Sequence, residues 1–306
     1  MPEFQLATPV AFIIFNRPDT TERVFAEIAR ARPPKLLVVG DGPRANREGE
    51  AAKVAATRAI INRVDWPCEV LTNFSETNLG CKVRVSSGLD WVFEQVPEAI
   101  ILEDDCLPHP TFFRFCQELL ERYRDDQRIG MISGDNFQFG YTINDESYYF
   151  SNINHIWGWA SWRSRWQHDY DVDLKLWPKI RDERRFYDWF SSKAEQDNFA
   201  DSLEKVYQGQ IDTWDYQWQF SSRLNSRIAV MPNVNLISNI GFGADATHTT
   251  GQSEFANLPI AQIKFPLKHP SALFASTELD SKFNQRSAKK SLMHRVKSKI
   301  KNIISI

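Results

Sequence analysis

Short apolar runs alternate with helical patterns along the first 135 residues, and this alternation limits the folds open to the chain. These runs lie at residues 9–15, 35–39, 68–71, 99–102 and 129–132, and Lys35 and Glu69 are the charged residues within them. Runs this short are typical of buried strands rather than helices. Because strands that alternate with crossover helices form a parallel sheet, we predict an α/β fold with a mostly parallel, doubly wound sheet and flanking helices.

Helix caps and breakers mark the segments between these strands. Asp19 and the following Glu22 resemble a capping box, and Pro33 and Pro34 end the first helix near Ala31. The remaining helices are predicted at about residues 48–63, 82–95, 110–123, 182–192 and 195–208. Helices between successive strands place the carboxyl ends of those strands at one edge of the sheet.

The composition is typical of a globular protein and gives no sign of nucleic-acid binding. Of 306 residues, 42% are hydrophobic and 25% are charged, and the formal net charge is −2. The 6 histidines and 4 cysteines lack the spacing of a zinc site or a disulfide framework. The first apolar run is too short for a signal sequence or a membrane span. We therefore expect a cytoplasmic protein with reduced thiols.

The composition changes after the fifth predicted strand. Eight of the ten tryptophans lie between Trp157 and Trp218. We interpret this stretch as a second half that is built on the same sheet. We therefore predict one domain over residues 1–280, made of a first half over residues 1–135 and a second half over residues 136–280.

Residues 281–306 form a predicted basic, amphipathic tail. From Lys282 onward there are eight Lys or Arg residues and no acid, with apolar residues at near-helical spacing. A cationic amphipathic helix suits an anionic membrane surface, and we predict peripheral association with the inner membrane. A frayed, solubilising terminus is the alternative.

Polar side chains follow three of the predicted strands. Arg17 follows the first strand, Asp41 follows the second, and Glu103, Asp104 and Asp105 follow the fourth. Ligands of parallel α/β sheets bind outside the carboxyl ends of the strands. We therefore expect these residues to meet at one edge of the sheet.

Glu103, Asp104 and Asp105 are the most specific of these features. Three consecutive carboxylates repel one another, and a strand exit leaves them partly desolvated. Mg²⁺ or Mn²⁺ relieves this repulsion, because a hard cation prefers carboxylate oxygens and bridges them to substrate phosphates. The alternative is a solvated acidic turn without a ligand. Their position directly after a buried strand favours a metal and diphosphate site.

Several segments accompany this acidic trio. They are Ile101–Asp105 followed by Pro110-x-Phe112-Phe113, Asn78–Lys82, Trp157–Arg163, and Gly241–Gly243 before Thr247-His248. In combination they resemble the nucleotide-diphospho-sugar glycosyltransferases of the GT-A fold. The resemblance extends to the bacterial family-2-like (haemolysin-like) transferases and to the animal N-acetylglucosaminyltransferase that initiates complex N-glycans. It covers roughly residues 8 to 250.

The resemblance implies roles for the residues at the strand exits. Arg17 and Asp41 would contact the nucleotide, Asp41 through the edge of the base. Glu103 and Asp104 would hold hydroxyl groups of the ribose and the sugar. Asp105 would be the direct ligand of Mn²⁺ or Mg²⁺, as in a metal motif of the DXD type.

The resemblance also implies roles in the second half of the chain. Trp159 would line the donor-sugar pocket, since the glycine before it permits close approach by a ligand. Asp215 would be the catalytic base, with Asp212 as its rival because Tyr216 stands where a second acid is expected. His248 would touch the diphosphate or complete the metal shell, in a stretch over residues 241–251 that we predict to be a lid.

An inverting transferase needs such a base, because a carboxylate must take the proton of the acceptor hydroxyl as its oxygen attacks the anomeric carbon. The alternative for Asp215 is a surface residue of an amphipathic helix.

Lys82 and Arg84 begin a helix near the ligand edge, and we expect them to be solvated rather than bound to phosphate.

The resemblance thus implies a metal-dependent hexosyltransferase or N-acetylhexosaminyltransferase of glycan biosynthesis. The first half would bind a nucleotide-sugar donor, with a UDP-sugar as the expected one, and the second half a glycan or lipid-linked acceptor. A sugar-nucleotide pyrophosphorylase is one alternative, although the first strand is followed by Asn16-Arg17-Pro18-Asp19 and not by a glycine-rich signature. A non-enzymatic membrane-active or sugar-binding protein is the other, and it would not need three carboxylates at a strand exit.

Overall fold

The computed structural model describes residues 4–190, 192–242 and 254–286. The strands in this part of the chain are β1 (Val10–Ile14), β2 (Lys35–Gly40), β3 (Glu69–Phe74), β4 (Glu98–Glu103), β5 (Cys106–Pro108), β6 (Ile129–Ser133), β7 (Tyr148–Ser151), β8 (Trp159–Trp162), β9 (Ile228–Pro232) and β10 (Ile237–Asn239). One eight-stranded sheet has the order β3-β2-β1-β4-β8-β6-β9-β7, and β5 pairs with β10 in a separate two-stranded sheet.

The large sheet is mostly parallel. β1 pairs in parallel with β2 and β4, β3 with β2, and β9 with β6. β8 runs antiparallel between β4 and β6, and β7 runs antiparallel along β9 at the edge. The predicted α/β class with a mostly parallel sheet and flanking helices is confirmed.

Helices cover both faces of this sheet. They are α1 (Pro18–Ala31), α2 (Glu50–Ala59), α3 (Gly80–Gln95), α4 (Thr111–Tyr123), α5 (Arg163–Asp169), α6 (Trp177–Asp182), α7 (Lys193–Tyr207) and α8 (Asp215–Leu224), with 3₁₀ turns at Ile60–Arg63 and Arg185–Trp189. Val10, Phe12 and Ile14 of β1 enter the core that α1 and α4 cover, whereas Ala11 and Ile13 enter the core that α3 covers. Because β1 is buried on both faces, its sequence is continuously apolar.

Two predictions about helices are wrong: one helix does not form, and another has no capping box. The helix expected over residues 182–192 does not form, since α6 ends where that prediction begins and a short 3₁₀ turn follows. Arg184 has a left-handed φ of 56°, and this conformation stops the helix. Asp19 does not begin a capping box, because α1 starts at Pro18 and Asp19 lies inside its first turn. Proline is common at the first helical position, where its missing N–H is not needed.

The tryptophan-rich second half forms an additional helical layer. Trp166 and Trp218 lie in the core beneath the sheet. Helices α6, α7 and α8 pack around a separate apolar cluster of Leu174, Trp177, Phe186, Leu203, Val206 and Phe220. Most tryptophans of this half therefore serve packing.

The C-terminal segment begins inside the folded body. Residues 277–286 are helical and cross the predicted boundary at residue 280. Phe283 packs against Phe137 and His155, with ring centroids 5.9 and 4.5 Å away. The rest of the predicted tail lies outside the described residues. Within the described part of the chain, no helix is long and apolar enough to cross a membrane.

Candidate functional site

The carboxyl ends of β1, β2 and β4 open into a cavity of about 550 Å³. This volume lies within the range of small-molecule sites. Because β1 lies between β2 and β4, strand exits that are far apart in sequence meet at one edge of the sheet. The predicted site residues that line the cavity are Arg17, Asp41, Glu103, Asp104, Asp105 and Asp215.

Arg17 joins the exit of β1 to the acidic exit of β4. Its Nη1 donates a hydrogen bond to Oδ2 of Asp105 at 2.6 Å and lies 3.6 Å from Oδ1 of Asp104. The backbone N–H of Phe15 donates to Oδ2 of Asp104 at 2.9 Å. Since β1 and β4 are adjacent parallel strands, these contacts follow from the sheet register. The predicted metal ligand Asp105 therefore lies in an ion pair with Arg17.

Negative charge is in excess at this exit. Burial, and then the carboxylates of Asp105, Asp104 and Asp215, raise the pKa of Glu103 to about 8, although Arg17 lowers it. Burial and Asp105 also raise the pKa of Asp104. The four carboxylates outnumber their counter-ion Arg17, so this exit favours the binding of a cation.

This surplus of carboxylates fits a hard divalent cation. Within the described residues, no group of three or more His, Cys, Asp or Glu side chains could hold a metal ion by itself. Mg²⁺ usually takes only one or two protein carboxylates and completes its shell with water and phosphate oxygens, and Mn²⁺ favours similar ligands. Asp105 suits the role of first ligand to such an ion. His248, the second predicted ligand, lies outside the described residues.

The segment around β10 holds Asp105 from the other side. The N–H of Ile240 donates to the carbonyl of Asp105 at 2.8 Å. A Cβ at Gly241 would lie 2.1 Å from Oδ2 of Asp105, so only glycine fits there without movement of the carboxylate. Asn239 accepts a hydrogen bond from the N–H of Gly241 at 2.9 Å and lines the cavity. The sequence carries no signal for Asn239, because its position depends on the pairing of β10 with β5.

Asp41 lines the cavity, but its own chain occupies its carboxylate. Oδ1 accepts from the N–H groups of Gly42 and Leu79 at 2.8 and 2.9 Å. Oδ2 accepts from Nδ2 of Asn78 at 2.9 Å and from the N–H of Gly80 at 3.2 Å. These donors fill the roughly four acceptor positions of a carboxylate. Asp41 therefore shapes the turn before α3, and its contact with a nucleobase stays a prediction.

The two candidate bases, Asp212 and Asp215, differ in how far donors of the chain itself occupy their carboxylates. Asp212 accepts from the N–H groups of Cys81 and Lys82 at 2.8 and 2.9 Å, so it caps α3. Asp215 lies in the first turn of α8 and accepts a hydrogen bond from the hydroxyl of Thr213. Both acids line the cavity. Because the start of α3 engages Asp212, Asp215 is the stronger candidate for proton transfer.

The prediction that Trp159 lines the donor-sugar pocket is wrong. Its side chain is 0% exposed and stacks against Trp214, with 5.7 Å between ring centroids. Gly158 before it has a φ of +72°, and a Cβ there would lie 2.5 Å from Ile237. The glycine thus permits close packing of β10 rather than approach by a ligand. Trp157 lines the cavity instead.

Two arginines of the cavity were not expected from the sequence. Arg84 is not solvated as predicted: it is 6% exposed, and its Nη2 donates to Oδ1 of Asn73 at 2.7 Å. Arg44 forms an ion pair with Glu50. Both arginines line the cavity. Arg84 is buried on the side of α3 that packs against the sheet, and this packing cannot be read from the local sequence.

Comparisons with known proteins assign no family to the chain. No family model matches it, and no curated protein sequence matches it. Among solved structures it is similar to a UDP-glucose pyrophosphorylase complexed with UDP-glucose, at 9% identity over 74% of this chain and 91% of that one, with a TM-score of 0.36. It is also similar to mouse xyloside xylosyltransferase 1 in the apo form, at 10% identity over 71% and 81%, with a TM-score of 0.34. Similarity at this level supports no argument about activity.

Proposed function

We propose that the chain is an inverting glycosyltransferase that moves a sugar from a nucleotide donor, with a UDP-sugar as the expected donor, to a glycan or lipid-linked acceptor. The observation that carries this proposal is the meeting of Arg17, the carboxylates of Glu103–Asp105 and Asp215 in one cavity. Excess acid at the carboxyl edge of a parallel sheet is a setting in which a divalent cation and a diphosphate bind together.

Asp105 is the proposed ligand of a Mn²⁺ or Mg²⁺ ion. When bound, such an ion neutralises the charge that grows on the leaving diphosphate. Arg17 orients Asp105 through its hydrogen bond of 2.6 Å and adds positive charge at the same place. Glu103 and Asp104, which lie beside Asp105, are the proposed acceptors for hydroxyl groups of the sugar and the ribose.

Asp215 is the proposed base. The hydroxyl of Thr213 holds one of its oxygens, so the carboxylate keeps one orientation. It takes the proton of the acceptor hydroxyl while that oxygen forms a bond to the anomeric carbon, and the bond from this carbon to the diphosphate breaks on the opposite face. The products are a glycoside and a nucleoside diphosphate. Trp218 is buried in the core, so Trp157 is the better-placed aromatic face for a sugar.

Calorimetry with UDP-glucose and UDP-N-acetylglucosamine tests the donor and metal sites. We expect binding to require Mn²⁺ and to be lost in Asp105→Ala. Asp197→Ala is the matched control, because it removes a carboxylate from the exposed face of α7. Binding that depends neither on Mn²⁺ nor on Asp105 would refute the proposed metal-dependent function.

The products of turnover separate the three classes of function. A transferase releases UDP from the UDP-sugar and attaches the sugar to an acceptor. A pyrophosphorylase forms UTP from the UDP-sugar and pyrophosphate. A sugar-binding protein binds the nucleotide sugar and yields neither product, even after long incubation. Mass spectrometry of the nucleotide fraction distinguishes these outcomes.

We also propose that the basic C-terminal segment binds an anionic membrane surface. Phe283 anchors its first residues to the folded body, so a deletion of residues 287–306 removes the cationic remainder and keeps that contact. Six of the eight Lys and Arg residues of the tail lie in the deleted part. We expect the full chain, but not the shortened one, to sediment with vesicles that contain phosphatidylglycerol. Equal sedimentation of both chains would contradict this proposal.

A further inference from the structure

Asn78 lines the cavity, and its side chain keeps a hydrogen-bond acceptor that the described part of the chain does not use. Its Nδ2 donates to Oδ2 of Asp41 at 2.9 Å and to the carbonyl of Gly42 at 3.0 Å. The carbonyl of Gly42 can only accept, so the amide of Asn78 has one possible orientation. Within the part of the chain that the structure describes, Oδ1 of Asn78 accepts no hydrogen bond. This oxygen is therefore available to a molecule bound in the cavity, which Asn78 lines.

Asp41 cannot supply this acceptor, although it lies beside Asn78. Its two oxygens already accept from the N–H of Gly42 and from three groups of the turn before α3. Guanidinium donors lie nearby instead, because Arg44 and Arg84 line the same cavity and both interact electrostatically with Asp41. This end of the cavity thus combines one amide acceptor with two sets of cationic donors.

We propose that Asn78 selects donors whose base is an imide, namely uracil or thymine; this inference rests on the proposed nucleotide-sugar function. An imide edge presents a carbonyl, an N–H and a second carbonyl. The N–H donates to Oδ1 of Asn78, and the carbonyls accept from the guanidinium groups of Arg44 and Arg84. Cytosine presents an unprotonated ring nitrogen and an amino group at these positions. Acceptor then faces acceptor and donor faces donor, and the site rejects that base.

Binding of UDP and CDP to the full chain, with Mn²⁺ present, tests the selection. The two nucleotides share ribose and diphosphate, so the ratio of their dissociation constants reports on the base alone. We expect CDP to bind about ten to a hundred times more weakly than UDP. UDP methylated at N3 lacks the N–H and should bind as weakly as CDP. Equal binding of UDP and CDP would overturn the inference.

Asn78→Ala tests whether Asn78 causes the selection between UDP and CDP. The substitution also weakens the turn, and such damage lowers the affinity for both nucleotides alike. Selection by Asn78 predicts that the ratio of the CDP and UDP dissociation constants falls at least about threefold, and the guanidinium donors of Arg44 and Arg84 account for any preference that remains. An unchanged ratio would assign the selection to another group and overturn the inference. If neither nucleotide binds the unmodified chain, the proposed function itself fails. Binding without base preference refutes only the role of Asn78.

Discussion

Two kinds of acidic residue line the cavity, and they differ in what balances their charge. Asp41 and Asp212 accept hydrogen bonds from backbone N–H groups near the start of α3. Glu103, Asp105 and Asp215 lie close together and repel one another, with Arg17 as their counter-ion. Asp41 and Asp212, the satisfied acids, stabilise the wall of the cavity and can accept few further hydrogen bonds from a ligand. Glu103, Asp105 and Asp215, the unsatisfied acids, share one counter-ion and can therefore bind a further positive charge, so we expect the chemistry at these residues.

The largest effect is expected from the base. Asp215→Asn should lower kcat by about 10²- to 10⁴-fold, because the amide cannot take the proton of the acceptor hydroxyl. The dissociation constant of the donor should stay near that of the unmodified chain. Asp212→Asn is the matched control and should leave kcat within about threefold, because Asp212 caps α3 and is not the proposed base. If steady-state kinetics showed that only Asp212→Asn loses activity, Asp212 and not Asp215 would be the base.

A second test displaces the proposed metal ligand without removing it. Gly241→Ala places a Cβ 2.1 Å from Oδ2 of Asp105, so the carboxylate must move. We expect Mn²⁺-dependent binding of the UDP-sugar to weaken about tenfold, which corresponds to about 1.4 kcal/mol. Gly209→Ala is the control: an added Cβ there meets no atom within 4 Å, and its φ of +70° strains an alanine, so this variant shows what backbone strain outside the cavity does to the affinity. Unchanged affinity in calorimetry would show that the position of Asp105 is not critical.

Glu103 also makes stability depend on pH. The pKa of Glu103 is raised from 4.5 to about 8, so the folded chain retains a proton that the unfolded chain releases. Unfolding then releases this proton and becomes easier as pH rises from about 5 to about 8. Without a divalent cation we expect Tm to fall over this range by at least about 2–4 °C. The decrease in Tm should be smaller in Glu103→Gln than in the unmodified chain, and it should also be smaller when Mn²⁺ is present. An equal decrease in Glu103→Gln would show that other groups cause it.

The smallest effect is expected from a satisfied acid. Asp212→Ala removes the acceptor for two N–H groups at the start of α3 and should lower the free energy of unfolding by about 1 kcal/mol. Because this acid caps α3 and is not the proposed base, donor binding should change little. Denaturant unfolding and calorimetry on the same variant measure both quantities. A variant of normal stability with impaired binding would place Asp212 among the unsatisfied acids.

Local sequence was sufficient for the first half of the sheet. The segments Val10–Ile14, Leu36–Val39 and Ala99–Leu102 of β1, β2 and β4 contain no polar residue, so strand type and burial follow from composition alone. The polar residues after them then lie at the carboxyl edge of the sheet by topology. This is why the strand pattern was enough to locate Arg17 and Glu103–Asp105.

Local sequence was not sufficient for the second half. β8 inserts antiparallel between β4 and β6, and no local pattern encodes that pairing. Trp159 therefore enters the core, although its glycine neighbour suggested contact with a ligand. Arg84 faces the cavity because of how α3 rests on the sheet. Both errors concern the direction of a side chain, which packing partners decide.

The sequence by itself determined the strand exits and the acidic character of the cavity, because strand burial and consecutive carboxylates are local properties. Only the tertiary structure decided which acids are satisfied. Asp41 receives a donor from Leu79, 38 positions away, and Asp212 receives one from Cys81, 131 positions away. Hydrogen bonds over such separations exist only once the sheet and α3 have assembled. The division between acids that build the cavity and acids available for chemistry is therefore a property of the fold.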